Sequence, residues 1–283
     1  MPRAFGVKNT IILIFICAFI FPALSFSALV FAQESEFKEK CRSCHKEVLD
    51  KWDMSAIKHY PYREGKCESC HAAEHKKFTA EAGKPCLICH DLTSEKIKNS
   101  HFSVNLSDVD CFSCHYTHSA EKKGLLKESV HMPFSSGMCE MCHSVDGGKI
   151  KVKDMTKKSC LACHGTLVSK DDSVKHMGYE MQECVDCHNP HTSSHEKLLK
   201  SSVSENCFQC HDREQAKKHP YDVSVSSRIL NNMLDKDKKI WLTYSNKISC
   251  TSCHLPHSAR IPFLLRDSLD QGELCNHCHI KSK

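Results

Sequence analysis

The chain has little of what an ordinary globular core is built from. Its 283 residues include two tryptophans, and aromatic side chains make up only 7%. Beyond Phe31 there are few long apolar runs and none of membrane-spanning length. A second membrane span is therefore excluded, and so is a conventional apolar core. A polar, lysine-rich sequence of this kind is expected to stay disordered unless something other than its own side chains supplies buried surface. The formal net charge is only +5. That small excess gives no argument for nucleic acid or anionic lipid as a partner.

What the sequence has in excess is cysteine and histidine, 21 of each. Twenty cysteines fall into ten copies of Cys-x-x-Cys-His: Cys41/Cys44, Cys67/Cys70, Cys86/Cys89, Cys111/Cys114, Cys139/Cys142, Cys160/Cys163, Cys184/Cys187, Cys207/Cys210, Cys250/Cys253 and Cys275/Cys278. Only Cys17 is left over. The residues between the paired cysteines differ from copy to copy, so what is held fixed is the chemistry. Two thiols three residues apart can each add across a haem vinyl group while the adjacent imidazole reaches the iron; this is the c-type haem attachment signature. A zinc ribbon, a thioredoxin-like dithiol or a disulfide framework also uses Cys-x-x-Cys, but none requires a histidine directly after the second cysteine. The expected cofactor is ten copies of haem c, with proximal iron ligands His45, His71, His90, His115, His143, His164, His188, His211, His254 and His279.

The compartment is read from the N-terminus. Arg3 and Lys8 precede an apolar run from Ile11 to Phe31, and Val30-Phe31-Ala32 offers a small-residue cleavage site before Gln33. Residues 1–32 read as a signal peptide, with an uncleaved anchor as the alternative, because the run is long enough to span a bilayer. Cys17 lacks the small residues expected before a lipidated cysteine. The mature chain is expected in an exported, oxidising compartment, the periplasm, with no membrane span of its own.

The mature chain offers roughly 25 residues per haem, too few for separate domains around each. Haem must then supply most of the buried surface. The expected fold is a multihaem cytochrome c with few short α-helices, much irregular loop and a haem-packed core. Without Arg3 and Lys8, 37 basic side chains face 34 acidic ones. Two propionates per haem against one ferric charge turn that balance negative, and lysines are expected to pair with propionates.

Histidine arithmetic extends the reading. Eleven histidines lie outside the motif positions. His277 lies between the cysteines of the last motif, poorly placed to reach its own iron, and is excluded. The other ten, His59, His75, His101, His118, His131, His176, His191, His195, His219 and His257, match the number of sixth-ligand positions. His195 is the weakest, since it closely follows His191. Met132, Met141 and Met177 are rival axial ligands, but enough imidazoles are available without them. Bis-histidine ligation implies low potentials.

The chain also repeats itself. Cys111–His118, Cys184–His191 and Cys250–His257 each read Cys-x-x-Cys-His-x-x-His, and Leu125-Leu126, Leu198-Leu199 and Leu264-Leu265 follow at a fixed distance. We read each unit as a haem pair with a leucine staple, its second histidine preset by Pro190 and Pro256 in two copies. At a longer period the first five motifs align with the last five. This gives a pentahaem half over 33–144, a linker over 145–158 containing Gly147-Gly148, and a second half over 159–283. An extended array is expected, each unit contacting mainly its neighbours. Ile229, Leu230, Met233, Leu234, Ile240 and Trp241 predict one amphipathic helix.

Ten motifs, a signal peptide, two pentahaem halves and the doubled motif with Pro-His resemble the periplasmic decahaem cytochromes of the MtrA/DmsE family, whose halves are similar to the pentahaem donor NrfB. The resemblance covers nearly the whole mature chain at the level of motifs, and little between them. It implies an elongated wire of bis-histidine haems that sits in an outer-membrane porin and feeds an extracellular cytochrome. An inner-membrane quinol-oxidising cytochrome or a terminal reductase are further redox partners it implies. The tight motif spacing and the lack of a long N-terminal extension depart from a porin-filling member.

Three function classes fit these features. The first is electron transfer without further chemistry, in which the protein spaces, orients and tunes its haems. A nitrite or hydroxylamine reductase needs one open iron and proton delivery; its proximal lysine is absent here. A subunit of an extracellular cytochrome filament needs bridging ligands or interfaces.

Overall fold

The computed structural model describes residues 39–72, 85–146, 149–153, 156–233 and 241–279. The apolar run Ile11–Phe31, the candidate ligand His75, and Leu234 and Ile240 of the expected amphipathic helix lie outside the described residues. Of that helix, Ser227–Asn232 is observed, and the buried Met233 caps it. Among the described residues no helix is long and apolar enough to cross a membrane.

Secondary structure is sparse and short, as a chain organised around prosthetic groups requires. The longest described helix covers 39–54; the next, Lys157–His164, has 8 residues. Two four-residue strands, His143–Asp146 and Lys149–Val152, form a hairpin, and the other strands are dipeptides. Buried apolar side chains among the described residues are Leu49, Tyr62, Ala120, Val203, Met233, Leu242 and Ala259. Side chains this few and scattered cannot hold a domain of this size by apolar burial alone.

The chain divides into two compact units, Met1–Asp91 with Tyr116–Leu125, and Leu92–His115 with Leu126–Lys283. In the first, Arg42 pairs with Asp50 and Asp53 along helix 39–54. The buried Tyr62 hydroxyl donates to the Leu49 carbonyl at 3.1 Å and to Asp53 at 2.7 Å, fastening this helix to the turn Tyr60–Arg63. Pro61 sits in the first turn of that short helix, where its missing N–H is no loss.

One substructure occurs three times. An extended dipeptide leads into a histidine and a helical turn: Ile57-Lys58-His59, Ser129-Val130-His131 and Val174-Lys175-His176. Each dipeptide pairs antiparallel with the two residues that follow the second histidine of a Cys-x-x-Cys-His-x-x-His segment. Ile57 faces Ala120, Ser129 faces Ser193, and Val174 faces Ala259. The first unit holds one copy and the second holds two. Ser119, Ala120, Thr192, Ser193, Ser258 and Ala259 are all buried, and their small size lets the two backbones meet.

The leucine pairs have a different use from a hydrophobic staple. Leu126, Leu199 and Leu265 form isolated bridges to the motif histidines His115, His188 and His254, returning the chain to its own haem motif. To make that return, Lys197 and Leu198 (φ 55° and 59°) and Phe263 and Leu264 (φ 58° and 57°) enter the left-handed region. For non-glycine residues this costs roughly 1–2 kcal/mol each.

Candidate haem sites

Most motifs are folded on a single tight turn. Cys67–Ser69, Cys111–Ser113, Cys139–Met141, Cys184–Cys187 and Cys250–Cys253 are turns of 3-10 or α-helix. In the first and sixth motifs the turn belongs to a longer helix instead, 39–54 and Lys157–His164. The amide of the motif histidine closes the turn on the first cysteine's carbonyl, at 2.9 Å in His71, His90, His115, His188 and His279 and at 3.0 Å in His211 and His254. Positions i, i+3 and i+4 of one turn lie on one side, so two thiols and an imidazole face the same way. Local caps fix where the turns begin. Asp110 accepts from the Phe112 amide, Glu183 with Asp186 and Ser249 with Ser252 form capping boxes, and Ser202 accepts from the Glu205 amide.

The attachment thiols differ in cover. Cys44 and Cys163, the second cysteines of the two helical motifs, are exposed, and Cys114 and Cys142 are only half-buried. The reason is local. Cys114 and Cys142 cap 3-10 turns, their amides on Cys111 and Cys139 at 3.2 and 3.1 Å, and a single turn brings little side-chain cover to the residue that ends it. The small hydroxyls of Ser43 and Ser113 stand beside Cys44 and Cys114, at 3.7 and 3.6 Å. All four are free thiols outside any disulfide, the form that thioether attachment needs.

Eight motif histidines face a second imidazole. The ring centroids are 6.0 Å apart in His59–His90, His101–His115, His131–His164 and His176–His211. They are 5.9 Å apart in His71–His118, 5.7 Å in His143–His191, 6.2 Å in His188–His257 and 6.5 Å in His219–His254. An imidazole nitrogen sits about 2 Å from a bound metal, so two imidazoles on opposite faces of one iron place their centroids roughly 6 Å apart. The residues fit bis-histidine haem at all eight positions.

The outer partners of these rings fix which nitrogen is free. Nδ1 of His59 donates to the Thr117 carbonyl at 2.8 Å, that of His131 to Pro190 at 2.9 Å, and that of His101 to Ile97 at 2.9 Å. His176 has the same kind of partner in the Pro256 backbone. On the motif side, His188 donates to the Lys197 carbonyl at 2.8 Å and His254 to the Phe263 carbonyl at 2.7 Å. A carbonyl can only accept, so Nδ1 carries the proton and Nε2 presents its lone pair, the form a metal binds. The strained residues of the return loops are those whose carbonyls aim the motif imidazole. Burial pushes His118 and His257 down to about 4, with help from neighbouring imidazoles, and lowers His176 and His191. Neutral imidazole is thereby favoured where a ligand is needed.

Thiols of successive motifs adjoin. Cys41 hydrogen-bonds Cys67, Cys160 bonds Cys184, and Cys207 bonds Cys250. Cys70 interacts with Cys89, Cys142 with Cys160, Cys187 with Cys210, and Cys253 with Cys278. Burial pushes Cys67 and Cys160 up to about 11.

Residues 131–169, 176–216 and 244–283 match the family described as Doubled CXXCH motif, and residues 66–144 match Cytochrome c554 and c-prime. The chain is a multihaem c-type cytochrome. Its cofactor is haem c. Over 196 residues, 64% of the chain, it is 27% identical to the multiheme cytochrome MtrA of Shewanella baltica (strain OS185), covering 54% of that protein. Over 100 residues, 33% of the chain, it is 29% identical to the probable fumarate reductase Ifc3 of Shewanella frigidimarina (strain NCIMB 400), covering 15% of it. The cytochrome thus matches about half the length of the first relative and a smaller part of the second.

Four described histidines fall outside the eight pairs, and one of them, His45, makes a contact of its own. His277 stacks on Trp241 at 4.0 Å, and its Nε2 bonds Asp267 at 2.8 Å. His195 lies beside the strand Ser129–Val130, its carbonyl accepting from Ser129 and its amide donating to Ser193; its ring meets no other imidazole there. The ring of His279 also meets none. Met132, Met141 and Met177, the rival ligands, are 62%, 50% and 70% exposed, and Met132 and Met177 directly follow His131 and His176, whose rings face His164 and His211.

The sequence reading missed the aromatic residues that pack on these second imidazoles. Trp52 stacks on His118 at 3.9 Å, Phe134 lies 5.1 Å from His191, and Tyr179 lies 5.7 Å from His257. A signal exists for Phe134, Tyr179 and Tyr62, whose ring lies 5.8 Å from His118: each stands three residues after His131, His176 or His59.

Proposed function

We propose that this cytochrome is a periplasmic decahaem electron carrier of the MtrA/DmsE type, exported by residues 1–32 and relaying single electrons between redox proteins. The reading rests on eight imidazole pairs with the separation that one iron requires. Haem c supplies one-electron chemistry, its iron alternating between ferric and ferrous. The polypeptide holds both axial imidazoles neutral, orients them through backbone carbonyls and brings successive attachment sites together. Adjoining thiols would hold the haems of successive motifs close together, and single-electron relay needs closeness more than any moving part. Bis-histidine ligation sets low potentials.

We assign the twenty motif cysteines as attachment residues, the solvent-facing Cys44 and Cys163 and the half-buried Cys114 and Cys142 among them. We assign His59, His101, His118, His131, His176, His191, His219 and His257 as sixth ligands of the motifs they face. His75 and His195 remain as the other two proposed ligands. The two-half organisation, 33–144 and 159–283 about a joint at 145–158, is supported by matching pairs: His71–His118 with His188–His257, His59–His90 with His176–His211, and His101–His115 with His219–His254. Proposed partners are an inner-membrane quinol-oxidising cytochrome on one side and, on the other, a porin with an extracellular cytochrome or a terminal reductase. The likeness to a probable fumarate reductase favours the last of these, over a third of the chain.

Intact mass and stepwise reductive titration of the purified protein test the reading together. Ten haem additions on a chain beginning near Gln33, with all potentials well below zero, are expected. Fewer additions at intact motifs, or a single high-potential step, would refute it.

A further inference from the structure

Each leucine pair of the doubled motifs is followed by a cation: Lys127, Lys200 and Arg266. The return loops show where it goes. Leu126, Leu199 and Leu265 bridge the motif histidine, and the amide of the next residue donates to the carbonyl of the second cysteine. Lys127 reaches Cys114 at 3.1 Å, Lys200 reaches Cys187 at 2.9 Å and Arg266 reaches Cys253 at 2.9 Å. The fifth motif arrives at the same arrangement by another route. In the hairpin of His143–Asp146 and Lys149–Val152, Val152 faces the motif histidine His143, and Lys153 follows with its amide on the Cys142 carbonyl at 3.0 Å. Lys and Arg make up 39 of the 283 residues, so a cation in all four returns is more than composition supplies.

Three of the side chains fold back over the motif turn. The Lys127 ammonium donates to the Ser113 carbonyl at 2.9 Å, the Lys153 ammonium to the Glu140 carbonyl, and Arg266 Nε to the Thr251 carbonyl at 2.6 Å. Ser113, Glu140 and Thr251 all lie between the two cysteines of their motif. Arg266 is half-buried, its guanidinium 5.8 Å from the centre of the Trp241 ring; Lys127 is half-buried too, while Lys153 and Lys200 are exposed. The charges reach the thiols. Burial pushes Cys187 and Cys253 up, and Lys200 and Arg266 pull against it. Attachment through the second cysteine therefore sets these cations beside the thioether edge of the haem, the edge opposite its propionates.

We propose that Lys127, Lys153, Lys200 and Arg266 are charge sites that raise the reduction potentials of the haems on the fourth, fifth, seventh and ninth motifs. The proposal rests on the reading of these four motifs as haem sites. Ferric haem carries one more positive charge at its iron than ferrous haem, so a fixed cation nearby destabilises the oxidised form more than the reduced one. Sites with the same pair of imidazole ligands are thereby set apart in potential by where the chain places its charge. Half-buried Arg266 acts most strongly, and the exposed Lys153 and Lys200 are screened by salt.

The test is a stepwise reductive titration of the haem-loaded protein, after peptide masses have shown haem on Cys250 and Cys253. Arg266→Met keeps an apolar stem and removes the charge. It should lower the equilibrium constant for reducing one haem on the order of tenfold, about 59 mV for one electron. Arg266→Lys should bring that component back to its wild-type place. Lys153→Met should lower a different component by less, with a difference from wild type that shrinks at high salt. An Arg266→Met titration that overlays the wild type overturns the proposal. So does an Arg266→Lys component that falls as far as in Arg266→Met, because the side chain would then act through its contacts with Thr251 and Trp241 and not through its charge. Should Arg266→Met fail to mature, Lys127→Met and Lys153→Met decide: a fall of one separate component in each supports the proposal, and unmoved potentials in both overturn it. Wild-type peptides with bare Cys250 and Cys253 would sink the haem reading of the ninth motif as well, an outcome that mass alone tells from the others.

Discussion

The amide of His131 donates to the carbonyl of His191 at 2.9 Å, although the two imidazoles face different motif histidines, His164 and His143. The same link joins His59 to His118 and His176 to His257, at 2.8 and 2.9 Å. The proposed second ligands of two sites are thus carried on a single pair of strands. The backbone hydrogen bond links the two positions, while the imidazoles face separate motif histidines.

Exchanging one ligand should therefore retune one haem. In His131→Met a thioether replaces an imidazole opposite His164, and methionine ligation raises the potential. One component of a potentiometric titration is expected to move up by on the order of 0.1 V, within the range axial ligands span. The amide bond to His191 survives the change, so the other components should stay in place. A shift of several components at once would show that the two sites cannot be tuned apart.

The positions of all ten motifs were legible in the sequence, because covalent attachment demands fixed spacing, and eight of the ten candidate second histidines do face a motif imidazole. Which imidazole faces which was not legible. His118 meets His71 and His257 meets His188 across long stretches of chain, and only the strand pairs bring them together. Nor did the spacing tell a covered thiol from an open one: Cys207, a first cysteine, is half-buried against Cys250, while the second cysteines Cys44 and Cys163 lie exposed on helices. The leucine pairs were visible, but their use was hidden: a left-handed residue leaves no pattern when lysine or phenylalanine occupies it, as at Lys197 and Phe263. The two tryptophans looked like a deficit of core, yet both stack on histidine rings, His118 and His277.

Lys197 tests the return loop. Its φ of 55° places its carbonyl on Nδ1 of His188 at 2.8 Å. Lys197→Gly relieves the left-handed strain and should raise stability by about 1 kcal/mol, read from the denaturant midpoint. Lys197→Pro cannot reach that φ and should lower stability by on the order of 2 kcal/mol. Equal behaviour of the two variants would mean that the backbone at this position does not aim the histidine.

The strand contacts are tight enough to be sensitive to volume. Ala259 is fully buried opposite Val174, one residue before the strand that leads into His176 begins to turn. Ala259→Leu should push the strands apart and destabilise by about 1–3 kcal/mol. Ala120, in the corresponding place of the first unit, should respond alike; a tolerant Ala120→Leu protein would show that the copies are packed differently.

Tyr62 and Trp52 make the first unit's version of the site depend on helix 39–54. Tyr62 donates to Leu49 and Asp53 from that helix, and Trp52 of the same helix stacks on His118 at 3.9 Å. Tyr62→Phe keeps the ring and deletes both hydrogen bonds, which should cost about 1–2 kcal/mol. Trp52→Ala removes the wall against His118 and should cost roughly 3 kcal/mol. Because the two act through one helix and touch each other at 5.7 Å, the double variant should lose less than the sum of the singles. Strict additivity in denaturant unfolding would mean that helix 39–54 is held to the His118 site by contacts other than these two.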